Sequence, residues 1–188
     1  DAVSTLLGLN LLLSSKLKFE ELLELSSRVG SDCPSFLLSG ACVASGKGER
    51  IREVKFPAAE KISGKRVLLF KPSCGFSTAD IYDLYEARES LYKDTIQMNE
   101  RIEHWESGQL SLTDFIHNDL SFPIHRKFIF ITVLFKELKE RFKLNPMVSG
   151  SGSCCFLIIP EYLVMEPVIQ MIMKAWGKEI FITETRLI

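Results

Sequence analysis

Asp32 is the residue whose surroundings most directly suggest chemistry. It lies in the stretch RVGSDCPSF, between Gly30 and Pro34. As a general base, this carboxylate would take the proton of a substrate hydroxyl, and a nearby cation would have to keep it ionised. As a helix cap it would contribute about 1 kcal/mol and imply no chemistry. No lysine close in sequence obviously supplies such a cation, so both interpretations stay open.

The second candidate is the turn SGSGS at residues 149–153. Glycine adopts positive φ and lets the backbone approach a ligand closely, so successive N–H groups can face an anion, and serine hydroxyls add donors. The stretch fits neither G-x-x-x-x-G-K-[ST] nor G-x-G-x-x-G, the two common nucleotide fingerprints. For an isolated match, a plain turn between two elements is the commoner explanation.

Other positions carry functional side chains without a motif of their own. Tyr82, near the start of a helix, could stack on a nucleobase, a contact worth about 1–3 kcal/mol, or could belong to the core. His117 could bond a ligand, although a lone histidine more often bonds a local backbone group. Asn118 and Asp119 could form a simple turn or cap.

Apolar periodicity predicts the elements that must position these residues. Helices are expected over residues 2–13, 18–29, 78–107, 126–142 and 161–176, the first of them buried. Strands are expected at 40–45, 49–56, 65–72, 178–185 and, following the glycine-serine turn, within 147–159. Ser111 or Thr113 is expected to cap a short helix. Strands separated by helices indicate an α+β or α/β fold with helices packed on a sheet.

Composition limits the class of protein. The 188 residues are 46% hydrophobic and 25% charged, which predicts a globular chain with a sizeable core. A net charge of -1 provides no field for nucleic acid or an anionic membrane. The longest apolar run, near 128–135, is too short for a membrane span of about 20 residues. Five cysteines without C-x-x-C spacing predict free thiols in a reducing cytoplasm, and three histidines without H-E-x-x-H spacing argue against a histidine metal site.

The order of several short motifs is more specific than any one of them. They are Gly30-Ser31-Asp32-Cys33-Pro34, Gly46-Lys47-Gly48-Glu49, Lys71-Pro72, Ser77-Thr78 with Tyr82, Asn118-Asp119-Leu120 and Ser149 to Ser153. In this order the chain resembles the GHMP kinase superfamily over nearly its whole length. Within the superfamily it is most similar to the kinases that act on 4-diphosphocytidyl-2-C-methyl-D-erythritol. Cys33 in place of valine and Ser73 in place of glycine are small departures from that pattern.

The resemblance implies a role for each matching residue. Asp32 matches the catalytic aspartate, Tyr82 the aromatic residue that stacks on cytosine, and Thr78 its neighbour in the substrate pocket. The loop close to the phosphate groups is matched by Gly150, Ser151, Gly152 and Ser153. The implied reaction transfers the γ-phosphoryl group of ATP, with Mg²⁺, to the 2-hydroxyl of the cytidine-diphosphate methylerythritol substrate, a step of non-mevalonate isoprenoid biosynthesis. No residue of the chain is matched to a metal ligand.

The resemblance also implies a fold. We expect an α+β chain of GHMP-kinase type, with a remnant of the N-terminal domain at residues 1–62 and a ferredoxin-like C-terminal domain of four antiparallel strands at 63–188. The family's glycine-rich ATP loop and its lysine-bearing first strand have no match here, and Asp1 stands where a helix should begin with asparagine. The expectation is the C-terminal part of a cytoplasmic bacterial kinase, inactive alone and partnered with its missing N-terminal segment.

Two alternatives to this function stay open. Another GHMP kinase, of the mevalonate or homoserine type, would keep the chemistry and change the substrate. A non-catalytic module would use the ferredoxin-like layer to bind a small ligand.

Overall fold

The structure, a computed structural model, describes residues 1–14, 16–86 and 95–187. Its contacts divide the chain into two compact units, Asp1–Ser63 and Gly64–Leu187, called unit 1 and unit 2 below. The assignment of either unit to a kinase domain stays a prediction.

Unit 1 combines three α-helices with a two-stranded hairpin among the described residues. The elements are α1, Ala2–Leu12; α2, Phe19–Val29; a 3₁₀ helix, Cys33–Leu37; β1, Cys42–Ser45; β2, Arg50–Glu53; and α3, Ala58–Ile62. The strands β1 and β2 pair antiparallel, with Ser45 opposite Arg50. The predicted first two helices and the predicted hairpin are therefore confirmed.

Helix α1 forms where the sequence predicts it, but the prediction that it is buried is wrong. Val3 is its buried residue, whereas Leu11 and Leu12 are 80% and 83% exposed. A helix that is apolar on every side is fully buried only when other elements pack against every side. The described residues of the chain cover only the face that carries Val3.

Unit 2 contains a four-stranded sheet and the remaining helices. Its elements are β3, Arg66–Lys71; α4, Thr78–Glu86; α5, Thr95–Glu106; α6, Leu112–Phe115; α7, Ser121–Lys127; α8, Ile129–Phe142; β4, Met147–Val148; β5, Cys155–Ile159; α9, Glu166–Trp176; and β6, Phe181–Arg186. The strand order is β4-β5-β3-β6, and every neighbouring pair is antiparallel. This order, with helices between β3 and β4 and between β5 and β6, is the predicted ferredoxin-like arrangement.

The core of unit 2 lies between the sheet and its helices. Leu68 and Phe70 of β3 and Leu157 of β5 are fully buried. They form one cluster with buried helix residues, which are Ile81, Ile124, Ile131, Leu134, Leu138, Val168 and Ile172. Alternation along β3 and β5 directs every second side chain into this cluster, so the apolar strand predicted at 65–72 occupies the interior of the sheet.

Three predicted helices differ from the structure. The helix expected over 161–176 begins only at Glu166. The helix expected over 126–142 is interrupted at Phe128, whose φ of -120° and ψ of 76° are not helical and separate α7 from α8. The helix expected over 78–107 corresponds to α4 and α5, and residues 87–94 between them lie outside the described residues. Among the residues that are described, no helix combines the length and the apolar character needed to cross a membrane.

Candidate functional site

The 149–153 turn joins β4 to β5 and is closed by its own backbone. The N–H of Ser149 donates to the carbonyl of Cys154 at 2.8 Å, and the N–H of Gly152 donates to the carbonyl of Ser149 at 3.0 Å. Gly150 and Gly152 have φ of +55° and +85°. Because a side chain strains these conformations, the two glycines explain why the turn has this sequence.

The turn keeps hydrogen-bond donors that the protein does not use. Among the described residues, nothing accepts from the N–H groups of Gly150, Ser151 and Ser153. The hydroxyl of Ser153 is also buried without a hydrogen-bond partner in the same part of the chain. Unpaired amides of successive residues in a tight turn form a concavity suited to an anion. The turn therefore has unused donors, and its binding of a phosphate group stays a prediction.

Phe76 supports the turn from the side. A Cβ built on Gly152 would lie 2.5 Å from the Phe76 ring, so only glycine leaves room for this contact. The Phe76 ring in turn stacks on Phe128, with centroids 3.7 Å apart and planes 6° apart. The break between α7 and α8 thus coincides with the residue that holds Phe76. No pattern in the sequence identified this support.

Thr78, the first residue of α4, touches the turn directly. Its Oγ1 and the Oγ of Ser151 form a hydrogen bond of 2.9 Å across 73 residues of sequence. Tyr82 lies four positions later, which places it on the same face of α4 one helical turn away. Its side chain is 48% exposed, so the ring is free to meet a ligand and is not a core aromatic. The structure therefore brings three predicted site elements of unit 2 together.

A short polar chain fixes the start of α4. The Ser77 hydroxyl donates to Asp80 Oδ1 at 2.9 Å, while the Asp80 N–H donates to Ser77 Oγ at 3.3 Å. Lys127 of α7 donates to Asp80 Oδ2 at 2.7 Å. The hydrogen bonds from Lys127 and Ser77 hold the pKa of the Asp80 carboxyl below its usual value. The S-x-x-D spacing is a recognisable capping box, but nothing in the sequence indicated that Lys127 would complete it.

Asn118 is bonded to the backbone on either side of the turn's first residue. Its Nδ2 donates to the carbonyls of Val148 at 2.9 Å and Gly150 at 2.8 Å, and its Oδ1 accepts from the N–H of Leu120 at 3.0 Å. His117 makes local contacts, with Nε2 lying 3.6 Å from the Asp119 carboxylate. Of the two, Asn118 is the residue that acts at long range, which its place in a turn-like motif did not predict.

The cysteines beside the turn are thiols of low reactivity. Burial, followed by the neighbouring Cys154 thiol, raises the pKa of Cys155 to about 12. Burial also raises the pKa of Cys154, although the charge of Lys71 opposes the shift. Thiols with raised pKa values are weak nucleophiles at neutral pH, so neither side chain is a candidate nucleophile. All five cysteines are free in the structure, as the sequence predicts.

Asp32 lies in unit 1, immediately before the 3₁₀ helix Cys33–Leu37, with Pro34 in the first turn of that helix. Asp32 therefore occupies the N-cap position that the sequence predicts, but its side chain makes no capping hydrogen bond. The backbone carbonyl of Asp32 instead accepts a hydrogen bond of 2.6 Å from the Ser35 hydroxyl. The Asp32 carboxylate is exposed and forms no hydrogen bond or ion pair with the residues that the structure describes. That Asp32 belongs to the same site as Tyr82 and the 149–153 turn stays a prediction.

The loop that carries Asp32 is held by the hairpin of unit 1. Gly48, with φ of +103°, lies so close to Ser31 that a Cβ there would overlap the Ser31 carbonyl. The Glu49 carboxylate accepts from the N–H of Lys47 at 2.6 Å, which closes the same turn. Backbone hydrogen bonds from Glu49 itself and from Lys47 lower the pKa of the Glu49 carboxyl. The G-x-G-E motif therefore shapes a turn that supports the backbone next to Asp32.

Side chains that could bind a metal do not cluster in the part of the chain that the structure describes. It contains no group of three or more His, Cys, Asp or Glu side chains that could hold a metal ion. We therefore assign no residue of this chain as a ligand of Mg²⁺.

Curated proteins that resemble the chain are named 4-diphosphocytidyl-2-C-methyl-D-erythritol kinase. That of Bacillus cytotoxicus is 32% identical over 161 residues, which are 85% of this chain and 53% of the kinase. Those of Shouchella clausii and Alkaliphilus oremlandii are also 32% identical, over 86% of this chain and 52% and 54% of their own lengths. The chain thus spans about half the length of the curated relatives it matches. No protein-family model matches it.

Solved structures show the same fold. A crystal structure of 4-(cytidine 5'-diphospho)-2C-methyl-D-erythritol kinase has a TM-score of 0.66 and 22% identity, with 97% of this chain and 62% of that chain covered. The mevalonate kinase of Methanococcus jannaschii has a TM-score of 0.57 and 12% identity, with 99% and 62% covered. The predicted α+β fold of GHMP-kinase type is confirmed. By sequence and by fold, the chain is a relative of the 4-diphosphocytidyl-2-C-methyl-D-erythritol kinases over about half of their length.

Proposed function

We propose that the chain forms part of the site of a kinase that phosphorylates the 2-hydroxyl of 4-diphosphocytidyl-2-C-methyl-D-erythritol, in non-mevalonate isoprenoid biosynthesis. The observation that carries the proposal is the hydrogen bond between Thr78 and Ser151, because it joins two separately predicted parts of such a site. The names of the curated relatives support the same substrate. Since the chain spans about half of their length, the activity is proposed for a whole kinase.

Each residue has a distinct task in this proposal. The unpaired N–H groups of the 149–153 turn, at Gly150, Ser151 and Ser153, hold phosphate oxygens, and the three free amides fit that role. Tyr82 stacks on the cytosine ring beside Thr78. Asp32 orients the substrate hydroxyl or takes its proton. Bound ATP, with Mg²⁺, supplies the phosphoryl group, and the protein contributes positioning and charge stabilisation.

Cytidine binding tests the proposal on the 188-residue chain itself. We expect the chain to bind CDP in a calorimetric titration, and we expect Tyr82→Ala to weaken that binding about tenfold because it removes one base-stacking contact. Tyr162→Ala is the matched control, since Tyr162 is an 87% exposed tyrosine of the same unit outside the site. Equal affinity for the two variants would contradict the assignment of Tyr82. Preferential binding of mevalonate or homoserine would favour another GHMP kinase.

Catalysis by Asp32 requires a whole kinase for its test. We expect the 188-residue chain alone to show no ATP turnover, because its sequence has no match to the family's glycine-rich ATP loop. A chimera supplies the remainder, with this chain in place of the matching segment of the Bacillus cytotoxicus kinase. The chimera should phosphorylate the substrate, and Asp32→Ala should lower kcat by about 10²-fold or more. If the chimera is active and Asp32→Ala leaves its kcat unchanged, the result favours the alternative in which this unit has no catalytic role.

A further inference from the structure

Asn118 has both hydrogens of its side-chain amide committed to the backbone of the 149–153 turn. They donate to the carbonyls of Val148 and Gly150, and the amide oxygen accepts from Leu120. An asparagine side chain of this kind has no donor left for a ligand. Asn118 can therefore influence a ligand only through the turn that it holds.

The Gly150 carbonyl that Asn118 binds determines where the following N–H group, that of Ser151, points. In a planar trans peptide, the carbonyl and the following N–H point in opposite directions. Holding the Gly150 carbonyl towards Asn118 thus directs the N–H of Ser151 away from Asn118. The Ser149 carbonyl, which accepts from Gly152, directs the N–H of Gly150 away from Gly152 in the same way. Two of the three free donors of the turn are thereby oriented before any ligand arrives.

We propose that Asn118 is the positioning residue of the phosphate-binding turn, fixing the peptide between Gly150 and Ser151 so that the Ser151 N–H faces a phosphate oxygen. The inference rests on the proposed function of the turn. Donors held in place before binding cost no reorganisation when the anion arrives. Without Asn118, the peptide that follows Gly150 can rotate, because glycine allows many backbone conformations. The Ser151 N–H then faces the phosphate in only a small fraction of the molecules.

Asn118→Asp is the sharpest variant because it keeps the size of the side chain and an oxygen for the Leu120 N–H. It removes both donors and places a carboxylate against the carbonyls of Val148 and Gly150. Asn145→Asp is the matched control, since Asn145 is an exposed asparagine of the same unit that makes no side-chain hydrogen bond within the described residues. Both variants change the net charge by the same amount.

The experiment titrates each full 188-residue chain with inorganic pyrophosphate and follows the backbone amides by NMR, with thermal unfolding measured in parallel. In the wild type, the amides of Gly150, Ser151 and Ser153 should shift on titration. Asn118→Asp should weaken pyrophosphate binding about tenfold or more, as expected for the loss of hydrogen bonds to a charged group, while Asn145→Asp should weaken it less than about twofold. Asn118→Ala should behave as Asn118→Asp does, which separates positioning from charge repulsion.

The remaining outcomes contradict the proposal, and they distinguish failure of the positioning role from failure of the proposed function. If Asn118→Asp and Asn145→Asp bind pyrophosphate equally, Asn118 does not position the turn. If Asn118→Asp and Asn118→Ala both unfold the chain, the residue is structural and the proposal fails. If the wild type binds CDP through Tyr82 but binds no pyrophosphate, the positioning role fails while the cytidine site stands. If it binds neither, both proposals fail for this chain.

Discussion

Unit 1 and unit 2 both contain helices rich in apolar residues but bury them to different extents. In unit 2 the helices and the sheet share one cluster, in which Leu68, Phe70 and Leu157 are fully buried. In unit 1 the leucines at the end of α1 are mostly exposed. Apolar periodicity therefore determines where a helix forms, whereas burial depends on which neighbouring elements are present.

The largest expected effect comes from the same substitution made once in each unit. Leu68→Ala removes a fully buried side chain and should lower the free energy of unfolding of unit 2 by about 2–5 kcal/mol. Leu12→Ala removes a side chain that is already in contact with solvent and should change the stability of unit 1 by less than about 0.5 kcal/mol.

The two units need separate reporters, because a chain of two compact units does not have to unfold in a single two-state transition. Both tryptophans of the chain, Trp105 and Trp176, lie in unit 2, so tryptophan fluorescence during urea unfolding follows unit 2. Amide hydrogen exchange of α1 and α2 follows unit 1. A large loss of protection in Leu12→Ala would show that α1 is packed in solution, and the contrast between the units would then be wrong.

The sequence predicted most of the elements for physical reasons that are local. The strand at β3 is a short apolar run that ends at Pro72, and the hairpin of unit 1 follows from Gly46-Lys47-Gly48. The break at Phe128 was not predicted, and it coincides with a ring stack on Phe76, 52 positions earlier by sequence number. A contact of that sequence separation leaves no local pattern.

The candidate site shows the same division between local and distant causes. Glycine and serine spacing predicted the 149–153 turn, and helical spacing places Tyr82 on the face of Thr78. The side chains that hold these parts, Asn118 and Phe76, act across the fold and were not assigned such roles. Asp32 differs from these residues. It lies in unit 1, whereas Tyr82 and the 149–153 turn, the other parts of the proposed site, lie in unit 2.

The next effect in size compares glycines of the two units. Gly48→Ala and Gly152→Ala each place a Cβ against a confined neighbour, the Ser31 backbone and the Phe76 ring. Each should cost about 1–3 kcal/mol more than Gly64→Ala, which shares the positive φ but meets nothing within 4 Å. Hydrogen exchange of α2 reports Gly48→Ala, and tryptophan fluorescence reports the other two. A Gly64→Ala variant as unstable as the others would mean that φ alone, and not the close approach, requires glycine.

The smallest effect separates two residues that the sequence presents as equivalent caps. Ser111 Oγ accepts from the N–H of Asp114 at 3.2 Å, so Ser111→Ala should destabilise unit 2 by about 1 kcal/mol in the fluorescence-monitored urea titration. Asp32→Ala removes no capping bond and should leave the hydrogen exchange of α2 unchanged within about 0.5 kcal/mol. If Asp32→Ala instead costs as much as Ser111→Ala, the carboxylate has a structural role in solution. If stability is unchanged while the chimeric kinase loses activity, the function of Asp32 is separated from its fold.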